Sequence, residues 1–285
     1  MSLKDYIPWW GKITAKLLLA RLPFSYEVLQ KLDLLSLDGM AQPSYAYSVF
    51  KQHFERVRPR EGFVSLELGP GDSVFSALIS RAFGGSACYL VDAQDFVQKD
   101  VQMYRDMAAF LNEKGLPAPD LQNLQSLEEV LDCCCAQYMT SGLSSLRTIP
   151  DRSVDFIFSH AVLEHIRSAE FLDIMRELRR ILRDDGGCSH HVDLRDHLDN
   201  ALNNLRFSEK IWENDFMANS GFYTNRIRYS QMLDLFQKAD FNVEVIQVKR
   251  WTQLPTPKTK LSKEFMQLSD EELCVSDFCA FLKPA

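Results

Sequence analysis

Residues 64–72 read VSLELGPGD, an apolar run that ends in two glycines one residue apart, Gly69 and Gly71. An apolar run followed by such glycines predicts a buried strand that turns tightly into a helix. A dinucleotide site needs a third glycine, and Val74 stands at that position. Glu67 precedes the glycines, and a carboxylate there repels a pyrophosphate and attracts a cationic amino group. The stretch therefore disfavours a nicotinamide oxidoreductase.

The rest of the chain extends this βα unit. From residue 61, strand-like and helix-like segments alternate, which predicts an α/β fold with a parallel sheet covered on both faces. The predicted strands cover FVSLELG, ACYLVDA, the region around CCCAQYM, VDFIFSH and GCSHHVDL, then FNVEVIQVKRW and ELCVSDFCAFLK. The last two predict an antiparallel hairpin at one edge, and a polar helical stretch is expected over residues 196–212.

The segments divide the chain into two parts. Residues 1–60 are expected to form an N-terminal helical extension or lid, and residues 61–285 one domain with an insertion at about 195–230. Within residues 8–24, Trp9, Trp10 and Ile13 share one face of a basic amphipathic helix. That face suits either an anionic membrane surface or packing as a roof over the site. The helix is too short to span a bilayer.

Composition excludes several classes of function. The 285 residues carry a formal net charge of −7, which argues against nucleic acid as a partner. Seven irregularly spaced cysteines argue against a disulfide framework or a zinc site, and the run at 133–135 is expected inside a buried strand. No leader peptide is recognised at the start, so we expect a cytoplasmic protein.

A second carboxylate follows the second predicted strand. Asp92, the penultimate residue of CYLVDA, lies about 20 residues after the glycines, the spacing at which an acidic side chain receives the hydroxyls of a ribose. This spacing supports adenosine binding but is shared by folds that bind nicotinamide dinucleotides and by folds that bind S-adenosylmethionine.

Four motifs in order over residues 61–194 resemble the class I S-adenosylmethionine-dependent methyltransferases: LELGPGD, VDA, IPDRSVDFIFSHAVLEHI and ELRRILRDDGG. The resemblance implies an enzyme with a Rossmann-like, doubly wound, seven-stranded sheet whose last strand is antiparallel. The segments WWGKITAKLLLARLPF and SHHVDLRDHLDNALNNLRFS also resemble a bacterial subgroup often encoded near cell-surface polysaccharide genes.

The resemblance implies a cofactor site for S-adenosylmethionine. Glu67 and the two glycines would hold the methionine end, Asp92 the ribose, and Ser159 would lie near the sulfonium. Where many relatives carry an acidic residue for the adenine, this chain reads TSGLSSL. The predicted cofactor-binding residues are Glu67, Gly69, Gly71, Asp92, Ala93, Ser144 and Ser159.

Imidazoles and carboxylates follow the fourth and fifth predicted strands. They suit a base that deprotonates a hydroxyl, a divalent metal that binds a vicinal diol, or simple capping of the next helix. Neighbouring side chains on a strand face opposite ways, so only one of the two adjacent histidines is expected in the site. The predicted catalytic residues are His160, His190, Asp193 and His197, with no bound metal expected.

These features predict methylation, at oxygen, of a small or glycan-like hydroxylated acceptor. The alternative is an inactive S-adenosylmethionine-binding protein that acts as a membrane-associated partner. Peripheral contact with the inner face of a membrane through residues 8–24 belongs to either hypothesis.

Overall fold

The computed structural model describes residues 8–19, 39–220 and 222–285, with the backbone alone for 15–19. Its centre is a seven-stranded sheet in the order β3-β2-β1-β4-β5-β7-β6. The first five strands pair in parallel, and β7 pairs antiparallel with both β5 and β6. The strands are β1 Val64–Leu68, β2 Ala87–Val91, β3 Ala136–Met139, β4 Val154–His160, β5 Leu182–Asp193, β6 Phe241–Arg250 and β7 Val275–Pro284. The predicted Rossmann-like, doubly wound sheet is confirmed.

Helices cover both faces of this sheet. The α-helices are α1 Trp9–Leu19, α2 Pro43–Val57, α3 Phe75–Ala82, α4 Val101–Glu113, α5 Leu127–Cys133, α6 Leu143–Leu146, α7 Ser168–Ile181, α8 Glu209–Trp212, α9 Asp215–Ala218, α10 Tyr229–Lys238, α11 Lys263–Met266 and α12 Asp270–Leu273. Short 3-10 helices cover Leu163–His165, Asn203–Arg206 and Lys258–Lys260.

The central strands are apolar on both sides because helices cover both faces of a parallel sheet. Every residue of β4 before His160 is buried. One core lies between the sheet and α2, α3 and α4, and the other lies beneath α7 and α10. Phe50 of α2 packs on Phe156 and Phe158, with ring centroids 5.6 and 5.5 Å away. The described part of the predicted extension thus shares the core of the domain, and the boundary at residue 61 stays a prediction.

The cysteine run does not lie within a strand, contrary to the sequence prediction. Cys133 ends α5 and is exposed, and Cys135 has a φ of 51° in the turn before β3. Only Cys134 of the three is buried. The helix that precedes β3 extends into the run, so the strand begins at Ala136.

The helix predicted over residues 196–212 is also wrong. The buried Asp196 carboxylate accepts hydrogen bonds from the backbone N–H groups of Leu198, Asp199 and Asn203. An aspartate that binds nearby backbone donors in this way stabilises a loop in place of a helix. Only residues 203–206 and 209–212 form short helical turns.

Helix α1 lies against the insertion. Trp9 contacts Phe207 edge to face at 6.1 Å, and Ile13 is buried among Trp212 and its neighbours. Trp10 is 62% exposed. Trp9 and Ile13 therefore pack against the insertion, and a roof over the site stays a prediction. Residues 20–24 lie outside the described residues. None of the helices in the described ranges has the length and apolarity that a bilayer crossing requires.

Candidate active site

The glycine turn after β1 lies at the carboxyl edge of the parallel strands. Gly69 has a φ of 74° and donates its N–H to the carbonyl of Val91 at the end of β2. A Cβ at this position would lie 2.5 Å from Cγ2 of Val162, just beyond β4. The tight turn therefore requires glycine, and it brings together the loops that follow β1, β2 and β4.

Glu67 is a buried carboxylate beside this turn. It is 2% exposed, and its Oε2 atom has no hydrogen-bond partner among the described residues. Burial, opposed by Ser76 and reinforced by the charge of Asp92, raises the pKa of Glu67 to about 8. A desolvated carboxylate is stabilised when a cation enters the site. This environment fits the ammonium group of S-adenosylmethionine.

Asp92 provides a second carboxylate one strand away. Its Oδ2 accepts from the N–H of Gly71 at 3.2 Å, and its Oδ1 accepts from the N–H of Ala93 at 2.7 Å. Burial raises the pKa of Asp92 to about 6 despite these bonds. Carboxylate oxygens keep further lone pairs for hydroxyl donors. Glu67 and Asp92 together fit the amino acid and ribose ends of the expected cofactor.

The remaining predicted cofactor residues occupy different environments. Ala93 and Ser144 are exposed at the same edge of the sheet, and the N–H of Gly142 donates to the carbonyl of Asp92. Ser159 is fully buried, with its hydroxyl 2.8 Å from Nδ1 of His190. Alternation along β4 turns the Ser159 hydroxyl away from the face that carries His160. Contacts of these residues with a cofactor stay predictions.

A polar cavity of about 610 Å³ opens at the ends of β4 and β5. Its lining combines aromatic, imidazole and charged groups: Tyr45, His160, Ala161, His191, Asp193, Arg195, His197, Leu198 and Asn200. Ala161 borders the cavity one residue before Val162, which contacts the glycine turn. The cavity therefore adjoins the glycine turn and provides room for an acceptor.

His160 stands where β4 ends. Ala161 follows with a φ of 55° and donates its N–H to the carbonyl of His191. A left-handed alanine is strained, and such strain clusters at functional sites. Burial, together with the nearby charges of His191, Arg56 and Lys249, lowers the pKa of His160 to about 4. Its imidazole is therefore neutral near pH 7, and a neutral imidazole has one unprotonated nitrogen that can accept a hydrogen bond.

The two adjacent histidines of β5 face opposite ways, as expected from strand alternation. His190 is fully buried, contacts Ser159 and stacks on Phe236 with ring centroids 6.2 Å apart. Burial lowers the pKa of His190 to about 3. His191 instead lines the cavity and stacks on His160 at 4.4 Å. The geometry thus gives no support to catalysis by His190 and favours His191 as the member of the pair in the site.

Asp193 lines the cavity in an ion pair with Arg195. The guanidinium Nη2 lies 2.6 Å from Oδ2, and the Arg195 N–H donates to Oδ1 at 2.9 Å. Burial alone would raise the pKa of Asp193, but the hydrogen bonds and charge of Arg195 lower it below the usual value. A carboxylate held in this way is a weak base. The ion pair instead suits Asp193 to orient the Arg195 side chain toward a substrate in the cavity.

His197 belongs to a second group at the cavity edge. His197, His165 and Glu164 each place one ligand atom within 4.8 Å of the others. Nδ1 of His165 lies 2.8 Å from the carbonyl of Tyr223. These three residues are therefore the set in the described structure that could hold a divalent cation. Their grouping depends on the fold, because residue 197 lies more than 30 positions after the other two.

Sequence reasoning missed residues from helix α2 and from the turn after β5. Tyr45 reaches His160 edge to face at 6.3 Å, and His53 of the same helix lies behind His160. Arg195 lies just beyond the end of β5, after Leu194. Nothing in the local sequence of α2 marks Tyr45 or His53 as site residues, because their position depends on how α2 packs on the sheet.

Comparison with known proteins assigns the family. Residues 45–246 match a family model described as a methyltransferase domain. No curated protein matches the chain. Identities in structural comparisons are low, so the family assignment rests on the matched domain.

Three solved structures illustrate the similarity. The YcgJ protein of Bacillus subtilis has 18% identity and a TM-score of 0.46, with 84% of this chain and 99% of that one covered. A methyltransferase of Methanosarcina mazei described as SAM-dependent has 17% identity and a TM-score of 0.45, with 79% and 94% covered. The Haemonchus contortus phosphoethanolamine N-methyltransferase 2, in complex with phosphomonomethylethanolamine and S-adenosylhomocysteine, has 16% identity and a TM-score of 0.45, with 84% and 53% covered.

The family match covers the glycine turn, both carboxylates and most of the cavity lining. The chain therefore belongs to the methyltransferase domain family, and it is a class I methyltransferase that uses S-adenosylmethionine.

Proposed function

We propose that this methyltransferase acts on a hydroxyl group of a small or glycan-like acceptor bound in the cavity beside His160. The observation that carries the proposal is the position of His160 at the end of β4, where it lines a cavity rich in hydrogen-bonding groups. Such a lining suits a polar acceptor better than an apolar one. His191, Arg195 and Asn200 would orient its other oxygens.

S-adenosylmethionine, when bound, supplies a methyl group attached to a positively charged sulfur. Glu67 would bind its ammonium group, and Asp92 would bind its ribose hydroxyls. His160 would take the hydroxyl proton as the acceptor oxygen forms its bond to the methyl carbon, while the bond between that carbon and sulfur breaks and leaves S-adenosylhomocysteine. Because holding both reactants in line supplies much of the rate, few catalytic groups are needed.

Product analysis tests the proposed acceptor class. The full chain is incubated with S-adenosylmethionine and matched acceptor pairs, such as a sugar alcohol and its amino analogue, and S-adenosylhomocysteine formation is followed. We expect turnover with hydroxyl acceptors and an O-methyl signal in the NMR spectrum of the product. Turnover confined to amine acceptors, with N-methyl products, would replace the hydroxyl proposal by N-methylation.

Membrane contact through residues 8–24 is the second proposal. The packing of α1 against the insertion favours a role of α1 within the enzyme over this membrane contact. Trp9 and Ile13 pack against the insertion, whereas Trp10 is exposed. Helix α1 and the predicted lid would then roof the acceptor cavity in a cytoplasmic enzyme. An inactive, membrane-associated binding protein gains no support from this arrangement.

Flotation with anionic vesicles distinguishes the two roles of α1. We expect the full chain to remain in the unbound fraction, because Trp9 and Ile13 of α1 already pack against the insertion. A Trp10→Ala variant is the matched control for the exposed ring. Co-flotation of the full chain that Trp10→Ala abolishes would establish the membrane contact.

A further inference from the structure

His53 of α2 is a buried histidine whose two ring nitrogens both contact polar groups. It is 0% exposed and lies between the sheet and α2, with its ring stacked on Phe158 at 5.3 Å. Its Nδ1 lies 2.7 Å from the hydroxyl of Ser189 on β5. Its Nε2 lies 3.3 Å from Nδ1 of His160. His53 therefore connects β5 to the ring that borders the cavity.

The contact between the two imidazoles permits two arrangements of protons. A neutral imidazole carries one N–H, so one ring must donate and the other must accept. If His53 donates through Nε2, His160 carries its own proton on Nε2. That nitrogen then has no lone pair to receive the hydroxyl proton of a substrate in the cavity. If His160 donates through Nδ1, its Nε2 is unprotonated and can act as a base.

Ser189 makes the second arrangement available. A hydroxyl can accept as well as donate, so Ser189 can accept the Nδ1–H of His53 and leave the Nε2 lone pair of His53 for His160. When His160 takes a proton on Nε2, its Nδ1–H still needs an acceptor, and only the second arrangement supplies one without rearrangement. An unpaired donor in this buried place would be costly.

The charges around His160 make a hydrogen-bond acceptor for its Nδ1–H more important. Arg56 of α2, Lys249 of β6 and His191 of β5 all disfavour the imidazolium form, in addition to burial. Asp277 lies 3.5 Å from His191 and 3.1 Å from Lys249, so its charge is shared with those groups. A hydrogen bond to His53 therefore offsets part of the cost of proton uptake by His160.

We infer that His53 is a positioning residue, whose Nε2 accepts the Nδ1–H of His160 and so selects the His160 tautomer with a basic Nε2. The inference rests on the proposed role of His160 as the base. His53 does not touch the acceptor, and it acts through the tautomer and orientation of the His160 ring.

Side-chain ¹⁵N NMR of the histidines in the full chain tests the hydrogen bond without any activity measurement. We expect the neutral His160 ring of the wild type to be protonated on Nδ1 and unprotonated on Nε2. In His53→Phe, which keeps an aromatic ring but removes the acceptor, the tautomer population should shift toward Nε2–H. A wild-type His160 protonated on Nε2, or a population unchanged in His53→Phe, would overturn the inference.

Kinetics provide the second readout. His53→Phe should lower kcat at least about tenfold, part of what a general base contributes, with KM for S-adenosylmethionine unchanged. His53→Gln, whose amide oxygen can accept the Nδ1–H of His160, should recover most of kcat. Equal losses in the two variants would point to a structural role and overturn the inference. The wild-type spectrum decides the tautomer even if His53→Phe fails to fold.

The two proposals fail differently. If His160→Asn retains wild-type kcat, the proposed role of His160 as the base is wrong, whereas the His160 tautomer in the wild type still shows whether His53 accepts its Nδ1–H. If His160→Asn is inactive but His53→Phe retains wild-type kcat and tautomer, only the role of His53 is wrong.

Discussion

Glu67→Gln is expected to weaken the binding of S-adenosylhomocysteine by at least about 100-fold. The reason is that the cofactor's ammonium then lies in a buried place without its carboxylate, and removing one partner of a buried ion pair costs about 3 to 5 kcal/mol. S-adenosylhomocysteine carries the same amino acid group as the methyl donor, so isothermal titration calorimetry can measure the loss without turnover.

Two controls make this result specific to the ammonium contact. Methylthioadenosine keeps the adenosine but lacks the amino acid group, so its affinity should be the same for the wild type and Glu67→Gln. Asp92→Asn should weaken both ligands, because both carry the ribose hydroxyls. If Glu67→Gln weakened methylthioadenosine as much as S-adenosylhomocysteine, Glu67 would be supporting the turn rather than binding the ammonium.

The same pair of groups makes binding depend on pH. Glu67, with its pKa raised to about 8, is mostly protonated in the free enzyme at pH 7, and an adjacent ammonium lowers that pKa. Binding therefore releases a proton, and affinity rises with pH by up to about tenfold per unit between about pH 5.5 and 7.5, where the ligand amino group is still charged. Titrations in buffers of different ionisation enthalpy should count about one released proton for the wild type and none for Glu67→Gln.

His160→Asn is expected to lower kcat by about 10²- to 10⁴-fold, the usual contribution of a general base, while cofactor affinity stays within about threefold. Asparagine keeps a polar group near His53 but cannot take the acceptor's proton at neutral pH. Single-turnover assays at saturating S-adenosylmethionine measure the chemical step. His197→Asn, on the same cavity, is the matched control and should change KM for the acceptor more than kcat.

The acid side of the pH profile adds a second check on His160. Because burial and neighbouring charges hold its pKa at about 4, kcat/KM for the acceptor should not fall between pH 7 and 5 on account of His160. Protonation removes the base only as the pH drops through about 4. A decline centred near 6.5, the pKa of an unperturbed histidine, would contradict His160 as the base.

Local patterns were sufficient to place the glycine turn and its two carboxylates. The glycine pair needs a particular backbone conformation, and the acidic residues before and beyond it stand at strand ends that a parallel sheet brings to one edge. The structure places Glu67 and Asp92 together at that edge, as expected. The positions of these two carboxylates depend on interactions within single βα units, and the spacing of residues along the sequence is therefore enough to predict them.

The acceptor side required contacts between distant segments. Alternation predicted that one of His190 and His191 faces the site, but the choice depends on the register of β5 on β4, which pairs His160 with His191. The polar stretch after Asp193 resembled a helix because its pattern does not reveal that Asp196 binds three backbone N–H groups of its own loop.

The sequence by itself determined the fold class, the cofactor turn and the concentration of histidines beyond the fourth and fifth strands, because periodicity and glycine placement act over a few residues. The tertiary structure alone decided which histidine borders the cavity, that Arg195 neutralises Asp193, and that His53 of α2 contacts His160 across 107 residues of chain. These outcomes follow from side-chain packing between elements, and packing depends on all the surfaces that meet there rather than on any one segment.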